Sequence, residues 1–335
     1  MNEKMKIAVL YTGGTIGMYA GENGLRPSQE TVLQALKVYQ TQADFDVTVC
    51  HPLIDSSQVT QVHWCEWQQW LQQQTHTDAI LILHGTDTMA YTANVLALAM
   101  GSLRVPVVLT GSQYPLGTEN GDAETNLEAA VQALLQKAAP KQVSVVFANQ
   151  MLAAIGSRKI STQSLDGFAN KHHPPLNEFQ NALWLKSLCE TNVALMPKTA
   201  MTPLNPNIRI ASHYCVPASE QWALRAILHS GADAVILQSF GHGNGWFSQA
   251  DVQVMQAYQA QGGMIINVSQ VFDGHVAAQY EASKALLDAK VFMAGAWTVE
   301  TAYAKVWVGL SQGLRGHALQ HYLQQDVLGD AGCGS

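Results

Sequence analysis

The stretch AVLYTGGTIG, residues 8–17, joins a short apolar run to a glycine turn that ends in a threonine. Similar apolar runs follow at 46–50, 79–83, 105–110 and 143–148, and amphipathic stretches at helical spacing separate them. Strands that alternate with helices predict an α/β fold with a mainly parallel sheet. In such a sheet the turn after residue 11 lies at the carboxyl edge, where ligands bind.

A change of pattern near residue 190 divides the chain. Residues 187–207 carry three prolines and show no strand or helix period, whereas short apolar runs resume at 208–214, 234–238, 264–268 and 291–293. We therefore predict a larger N-terminal catalytic domain over 1–190, with a mainly parallel sheet flanked by helices. A linker over 191–207 and a smaller C-terminal α/β domain over 208–335 complete the prediction.

Composition restricts the class of protein. Hydrophobic residues make up 47% of the 335 residues, charged residues make up 13%, and the net charge is -7. There is no lysine or arginine run that would indicate nucleic-acid binding. No apolar stretch approaches the ~18 residues of a membrane span. Five scattered cysteines without a C-x-x-C pair, and a start without a signal-peptide pattern, favour reduced thiols and a cytoplasmic location.

Small polar residues follow four of the apolar runs. The segments are YTGGT at 11–15, HGTDT at 84–88, TGSQ at 110–113 and QSFGHGNG at 238–245. Each turn alone is as compatible with a structural role as with a functional one. Neither G-x-G-x-x-G nor G-x-x-x-x-G-K-[ST] occurs, so phosphate binding is not indicated. At one sheet edge, the residues expected around a common crevice are Thr15, Thr86, Asp87, Ser112 and Gln113.

A threonine hydroxyl becomes an effective nucleophile only when a base takes its proton. Asp87, next to Thr86, and Lys159, in the segment IGSRKIS, are candidates for such a group. A surface salt bridge is the alternative role for the lysine. The histidines show no H-E-x-x-H spacing and G-x-S-x-G is absent, so neither a metal site nor a hydrolase nucleophile elbow is predicted.

Two segments, YTGGTIG at 11–17 and ILHGTDTMAYTA at 82–93, resemble the signature motifs of the bacterial L-asparaginases, the cytoplasmic type I enzymes in particular. The resemblance covers nearly the whole chain and is densest up to residue 126. It implies hydrolysis of L-asparagine to L-aspartate and ammonia, without a cofactor or metal. Further agreeing segments are PLIDSSQVT (52–60), VLTGSQYPLG (108–117), DGFANKHHPPL (166–176) and TVETAYAKVWVGLSQGLRG (298–316).

The resemblance also implies roles for single residues. The threonine of the first motif attacks the substrate amide, and a β-aspartyl ester forms that water hydrolyses. The residues implied in catalysis are Thr15 as the nucleophile, with Thr86, Asp87 and Lys159. The Asp-Ser-Ser segment of the family holds the α-groups of the substrate, which here are met by Asp55, Ser56 and Ser57. We add Ser112, at the end of a predicted strand, as a further candidate substrate-binding residue.

One position departs from the family pattern. Many members carry a tyrosine on a flexible lid ten residues after the nucleophile, and this sequence has Leu25 there. We hypothesise that another tyrosine replaces it. The candidates are Tyr19, Tyr280 and Tyr303. The alternative is activation by Lys159 through a water molecule.

The resemblance implies a homodimer or homotetramer whose sites are completed across subunits, with no nucleic-acid or membrane partner. Two rival functions stay open. One is another amidohydrolase on the same scaffold, such as a glutaminase or the amidase subunit of a tRNA-dependent amidotransferase. The other is a catalytically impaired amino-acid-binding protein, which Leu25 suggests. Asparagine and glutamine differ by one methylene, worth ~1–3 kcal/mol in a pocket, so the sequence leaves the preference open.

Overall fold

The computed structural model describes residues 3–21, 24–185, 200–218, 221–277 and 283–326. The chain divides into two compact units, Met1–Met201 and Thr202–Ser335. The predicted fold class is confirmed, because the larger N-terminal unit has a mainly parallel sheet and the smaller C-terminal unit has a parallel sheet of its own. Most of the predicted linker at 191–207 lies outside the described residues, so its boundaries stay a prediction.

An eight-stranded sheet forms the centre of the N-terminal unit, in the order β12-β11-β8-β7-β6-β5-β1-β4. The strands from β4 to β7 run parallel, and the three at the other edge are antiparallel. The strands of this unit are β1 (Met5–Gly13), β2 (Met18–Gly21), β3 (Gly24–Pro27), β4 (Ala43–Ile54), β5 (Ala79–Leu83), β6 (Val107–Thr110), β7 (Val143–Phe147), β8 (Gln150–Ala153), β9 (Ser157–Lys159), β10 (Phe168–Asn170), β11 (Asn177–Gln180) and β12 (Leu183–Trp184). Its helices are α1 (Gln29–Leu36), α2 (Gln61–Gln73), α3 (Met89–Met100) and α4 (Ala123–Leu135).

Strand β1 is covered on both faces, which explains its continuous apolar run. Ile7, Val9 and Tyr11 pack into a cluster with side chains of α1 and α4, and the alternate residues Ala8 and Leu10 are also buried. Continuous apolar strands are typical of parallel sheets with helices on both faces. The parallel register aligns the carboxyl end of β1 with those of β4 and β5, and so positions the loops that follow.

The ends of two helices follow from their local chemistry. Helix α1 begins after Ser28, whose hydroxyl accepts a hydrogen bond from the Thr31 backbone N–H at 3.4 Å. Helix α3 ends at Met100, and Gly101 follows with a φ of 63°, a conformation that favours glycine.

The C-terminal unit has a four-stranded parallel sheet with its strands in chain order. The predicted apolar runs at 208–214, 234–238, 264–268 and 291–293 coincide with these strands. They are β13 (Ile210–Tyr214), β14 (Ala234–Ser239), β15 (Met264–Ser269) and β16 (Phe292–Met293). The helices are α5 (Trp222–Leu228), α6 (Gln249–Ala260), α7 (Lys284–Asp288), α8 (Val299–Ser311) and α9 (Gly316–Gln324).

Several short strands are absent from the prediction. The β2–β3 hairpin is antiparallel, and its second strand is exposed along its whole length, so no buried face imposes an alternating pattern on the sequence. The antiparallel strands β8, β11 and β12 have two to four residues each, too few to show a period. Among the described residues, no helix is long and apolar enough to cross a membrane.

Candidate active site

Glycines bring three loops of the N-terminal sheet into backbone contact. A Cβ atom on Gly14 would lie 2.3 Å from the Cα of Gly85, and one on Gly13 would lie 2.3 Å from the Ile54 carbonyl oxygen. Gly13 and Gly14 also have φ values of 129° and 85°, which disfavour any other residue. The loops after β1, β4 and β5 therefore meet at the carboxyl edge of the sheet.

Ser56 fastens the loop after β4 to the loop after β5. Its hydroxyl oxygen accepts a hydrogen bond from the Asp87 backbone N–H at 3.1 Å, and its carbonyl oxygen accepts one from the Thr88 hydroxyl at 2.7 Å. The residue is only 5% exposed. Because the hydroxyl oxygen is used as an acceptor, the hydroxyl proton is available for donation to an anion.

Lys159 joins the HGTDT loop from a distant part of the chain. Its Nζ donates hydrogen bonds to Thr86 Oγ1 and to Asp87 Oδ1, both at 2.7 Å. The lysine side chain is 17% exposed, whereas that of Asp87 is 58% exposed. The lysine thus contacts one buried hydroxyl and one exposed carboxylate, and its role in catalysis stays a prediction.

The strand that carries Lys159 is held by a short hairpin. Lys159 on β9 pairs with Phe168 on β10, and Asn170 donates from Nδ2 to the Ile155 carbonyl at 2.7 Å. The Asn170 Oδ1 atom accepts from the backbone N–H groups of His172 and His173. These contacts give the FANKHH segment a structural role in placing the lysine.

Asp55 caps the turn that begins with Ser56. Its Oδ1 accepts from the Ser57 backbone N–H at 2.9 Å and from the Ser57 hydroxyl at 2.8 Å. These two hydrogen bonds, the backbone one first, lower the pKa of the Asp55 carboxyl from its ordinary value. The side chain therefore stays ionised near neutral pH and presents a negative charge.

A buried carboxylate holds the loop after β6. Asp122 accepts hydrogen bonds from the backbone N–H groups of Gln113 and Tyr114 at 2.9 Å each. Asn126 donates to the Gly111 carbonyl at 3.0 Å and accepts from the Ala148 N–H at 2.9 Å. The network fixes the backbone on both sides of Ser112.

The buried His84 side chain fixes the backbone of the HGTDT loop through hydrogen bonds. Its Nδ1 donates to the Gly85 carbonyl at 2.7 Å, and its Nε2 accepts from the Thr92 hydroxyl at 2.9 Å. Thr92 in turn accepts from Trp64 Nε1 at 2.8 Å. The imidazole is fully buried, and burial lowers its pKa to about 4, so the ring is neutral at physiological pH.

These loops enclose a cavity of about 240 Å³ at the carboxyl edge of the sheet. Its polar side chains come from the ends of several strands, which is the usual place for a binding site in such a sheet. The lining residues are Gly14, Thr15, Met18, Asp55, Ser56, Gly85, Thr86, Asp87, Gln113, Lys159 and Thr162.

Seven of the nine residues predicted at the site lie on this cavity, namely Thr15, Asp55, Ser56, Thr86, Asp87, Gln113 and Lys159. Ser57 and Ser112 do not line it. Ser57 is bonded to Asp55, and the buried Ser112 hydroxyl donates to the Tyr114 carbonyl. Thr162 also lines the cavity but was not predicted. The feature of the sequence that indicates it is its position three residues after Lys159.

The tyrosine candidates in the described part of the chain do not line the cavity, and the replacement of the lid hydroxyl by a tyrosine stays a hypothesis. Tyr19 follows Met18, which lines the cavity, and successive strand residues point to opposite faces, so Tyr19 lies on the other face of the hairpin. The Tyr303 ring contacts that of Trp307 within the C-terminal unit, with the ring planes tilted by 60°. Tyr280 lies outside the described residues, and no group of three or more metal-ligating side chains is found within them.

Two family models match the chain. The N-terminal asparaginase model matches residues 6–188, and the C-terminal glutaminase/asparaginase domain model matches residues 209–323. The chain belongs to the asparaginase family.

Individual relatives agree with this assignment. The chain is 30% identical over 340 residues to L-asparaginase 1 of Escherichia coli K12, with 98% of each chain covered. It matches the crystal structure of L-asparaginase I from Vibrio cholerae with a TM-score of 0.85 and 30% identity, over 99% of this chain and 100% of that one. A probable cytoplasmic L-asparaginase from Campylobacter jejuni has the same fold, with a TM-score of 0.80 at 22% identity over 96% of this chain and all of that one.

Proposed function

We propose that this member of the asparaginase family hydrolyses L-asparagine to L-aspartate and ammonia. The observation that carries the proposal is that Thr15 lines the same cavity as the hydrogen-bonded group of Lys159, Thr86 and Asp87. A nucleophile and a proton-handling group on one small cavity are the components that acyl transfer needs.

In the proposed reaction, the Thr15 hydroxyl oxygen attacks the side-chain amide carbon of asparagine. The C–N bond breaks, the nitrogen leaves as ammonia with the hydroxyl proton, and a β-aspartyl ester on Thr15 remains. Water then attacks the ester, gives its proton to the threonine oxygen, and releases aspartate. The backbone N–H groups of the glycine loops stabilise the negative oxygen that forms in each step.

Thr86 and Lys159 handle the proton in this scheme. Thr86 Oγ1 accepts from Lys159 Nζ at 2.7 Å, so the Thr86 hydroxyl proton is available for donation into the cavity. We assign Thr86 as the group nearest the reacting atoms and Lys159 as the group that controls its proton. Asp87 orients the ammonium through its own 2.7 Å contact.

The substrate's charged groups are assigned to the other side of the cavity. The ionised Asp55 and the exposed carboxylate of Asp87 are suited to an ammonium group. The free proton of the Ser56 hydroxyl is suited to a carboxylate, whose desolvation is otherwise costly. Ser57 and Ser112 act indirectly in this proposal, because Ser57 holds Asp55 and Ser112 holds its own loop.

The test is ammonia release from L-asparagine and L-glutamine by the wild-type protein and by two variants. Thr15→Ala removes the proposed nucleophile and is expected to lower kcat by roughly 10⁴-fold or more. Thr12→Val is the matched control, because the Thr12 hydroxyl is buried and donates to the Leu83 carbonyl at 3.1 Å, away from the lining of the cavity. It is expected to keep its activity.

Other outcomes separate the rival functions. Faster release from glutamine identifies a glutaminase on the same scaffold. If the wild type binds either amino acid without releasing ammonia, the chain is a binding protein and the asparaginase proposal is wrong. Activity that survives in Thr15→Ala contradicts the assignment of the nucleophile.

We further propose a cytoplasmic homo-oligomer, a dimer or tetramer with sites completed across subunits. The location is supported by Cys50, Cys65 and Cys215, which are thiols rather than disulfides in the described part of the chain. Light scattering tests the assembly: a mass of about 36 kDa, that of the single chain, contradicts it.

A further inference from the structure

The loop between β9 and β10 has no assigned role, yet it contributes Thr162 to the cavity. The Ile160 N–H donates to the Gly167 carbonyl at 2.8 Å and closes the base of this loop. Inside it, the Ser161 hydroxyl oxygen accepts from the backbone N–H groups of Gln163 and Ser164 at 3.1 and 2.8 Å. The loop is exposed but has a defined internal structure, which fixes the position of Thr162.

Gln113 ties this loop to the sheet. Its side-chain Nε2 donates to the Ser164 carbonyl, and its backbone N–H is held by the buried Asp122. A Cβ atom on Gly167 would lie 3.1 Å from the same Nε2 atom, so the glutamine packs closely against the base of the loop. Gln113 itself lines the cavity.

The order of the strands determines the order in which the lining residues follow one another along the cavity. Asp55 and Ser56 follow β4, Thr15 follows β1, Thr86 follows β5 and Gln113 follows β6, and these strands are neighbours in that order. A substrate whose α-groups meet Asp55 and Ser56 therefore extends its side chain past Thr15 toward Gln113 and Thr162. An additional methylene has to be accommodated at that end.

We propose that Thr162 is the specificity-determining residue that limits side-chain length in the site, and that Gln113 positions it through the hydrogen bond to Ser164. This inference rests on the proposed amidohydrolase function. Thr162 is not a member of the nucleophile or proton-handling groups, so its replacement alters the choice of substrate more than the chemistry.

The experiment measures kcat/KM for L-glutamine and for L-asparagine, and compares their ratio among variants. Thr162→Ala shortens the side chain and is expected to raise the glutamine-to-asparagine ratio by about tenfold, the lower end of what one methylene is worth in a pocket. Thr162→Val keeps the side-chain volume without the hydroxyl and is expected to leave the ratio within twofold. Gln163→Ala, in the same loop but away from the lining, is the control for general loosening.

Gln113→Leu tests the positioning role. It keeps a side chain of similar size but removes the donor to Ser164, so the loop is released. We expect the KM for both amides to rise, with the ratio moving in the same direction as in Thr162→Ala and kcat changing less than KM. A purely structural role would lower the fraction of active protein without changing KM or the ratio.

The outcomes are distinct. A wild type that releases ammonia while the ratio in Thr162→Ala stays within twofold contradicts this inference and leaves the proposed function intact. A wild type without activity on either amide contradicts both. An equal shift in Thr162→Val and Thr162→Ala shows that the hydroxyl, not the length of the side chain, is read, and also contradicts the proposal.

Discussion

The carboxyl edges of the two parallel sheets differ in how their loops are held. In the N-terminal unit, loops from separate strands touch through Gly14 and Gly85. A Cβ atom on Gly14 would collide with the Gly85 backbone, and one on Gly85 would collide with the Ser56 side chain. In the C-terminal unit, the QSFGHGNG loop after β14 is held by hydrogen bonds. The Phe240 N–H donates to the Asn244 carbonyl at 2.9 Å within the loop, and Ser269 Oγ of the neighbouring strand donates to the Gly241 carbonyl at 2.6 Å. A Cβ atom on Gly241 in that loop would meet nothing within 4 Å.

The two carboxyl edges also differ in how exposed some of their side chains are. At the N-terminal edge, Ser56 and Thr86 are buried polar groups with assigned hydrogen bonds. At the C-terminal edge, Tyr214 and Trp246 are each 57% exposed. The carboxyl edge of a parallel sheet thus carries a polar cavity in the N-terminal unit and two exposed aromatic side chains in the C-terminal unit. A parallel sheet places its loops at one edge, and in the N-terminal unit close contact between the loops brings the polar side chains together around the cavity.

In the comparison of the two edges, the largest expected effect comes from removing Lys159, the mostly buried cation of the N-terminal edge. Lys159→Met deletes the donor to Thr86 and Asp87 while keeping the length of the side chain. We expect kcat for ammonia release to fall by roughly 10²–10⁴-fold, the range for loss of a proton-transfer group. Steady-state kinetics measures this, and circular dichroism checks that the fold is kept.

An ion pair of the C-terminal unit provides the contrast. Arg225 Nε contacts Asp251 Oδ1 at 2.6 Å, and the Asp251 side chain is fully buried. Arg225→Met leaves that carboxylate without its cation, so it is expected to lower the free energy of unfolding by about 3 kcal/mol. We expect kcat to stay within twofold of the wild-type value. A loss of activity as large as that of Lys159→Met would contradict the view that the cavity of the N-terminal unit, and not this ion pair, determines activity.

The glycine contacts give the second effect. Gly14→Ala places a methyl group on the Gly85 backbone at a φ of 85°, so strain and overpacking together are expected to cost roughly 2–5 kcal/mol. Gly241→Ala also has a positive φ, 46°, but open space around it, and should cost only about 1–2 kcal/mol. Urea unfolding of both variants measures the difference, and equal costs would mean that the loop contact adds nothing.

The last expected effect concerns pH. The pKa of His84 is lowered from 6.5 to about 4 in the folded protein, so the unfolded chain binds a proton first as the pH falls. Its contribution to the free energy of unfolding is complete above pH 6.5 and decreases as the pH falls toward 4, by up to about 3 kcal/mol.

His84→Asn checks this assignment, because its amide keeps a donor for the Gly85 carbonyl but does not titrate. The variant is expected to be less stable at pH 7 and to show a weaker dependence of unfolding free energy on pH between 4 and 6.5. Parallel slopes for the two proteins would assign the acid sensitivity to other groups.

Much of this molecule is readable from its sequence because its strands are buried on both faces. The run at 79–83 coincides with β5, and the runs at 143–148 and 264–268 lie within one residue of β7 and β15. The short antiparallel strands were not predicted, because two to four residues carry no period and their pairing depends on distant partners. The same holds for the hairpin at β2 and β3.

The candidate site was readable where a residue type and a strand end coincide, as for Thr15 and Thr86. The sequence does not show which side chains form hydrogen bonds to neighbouring residues and so do not line the cavity. Ser57 and Ser112 were predicted as substrate contacts, but neither lines the cavity and each hydroxyl donates to a local acceptor. Thr162 shows the reverse case, since only the folded loop brings it back to the cavity.

The backbone contact between Gly14 and Gly85 also bears on how the protein is made. The residues around the cavity extend from Gly14 to Thr162, so a growing chain on the ribosome holds the first threonine long before it holds the lysine. Until β5 pairs with β1, Gly14 lacks the Gly85 backbone against which it packs in the folded protein. Nascent and prematurely terminated chains therefore carry Thr15, the proposed nucleophile, without the cavity around it, and the proposed reaction requires the assembled sheet.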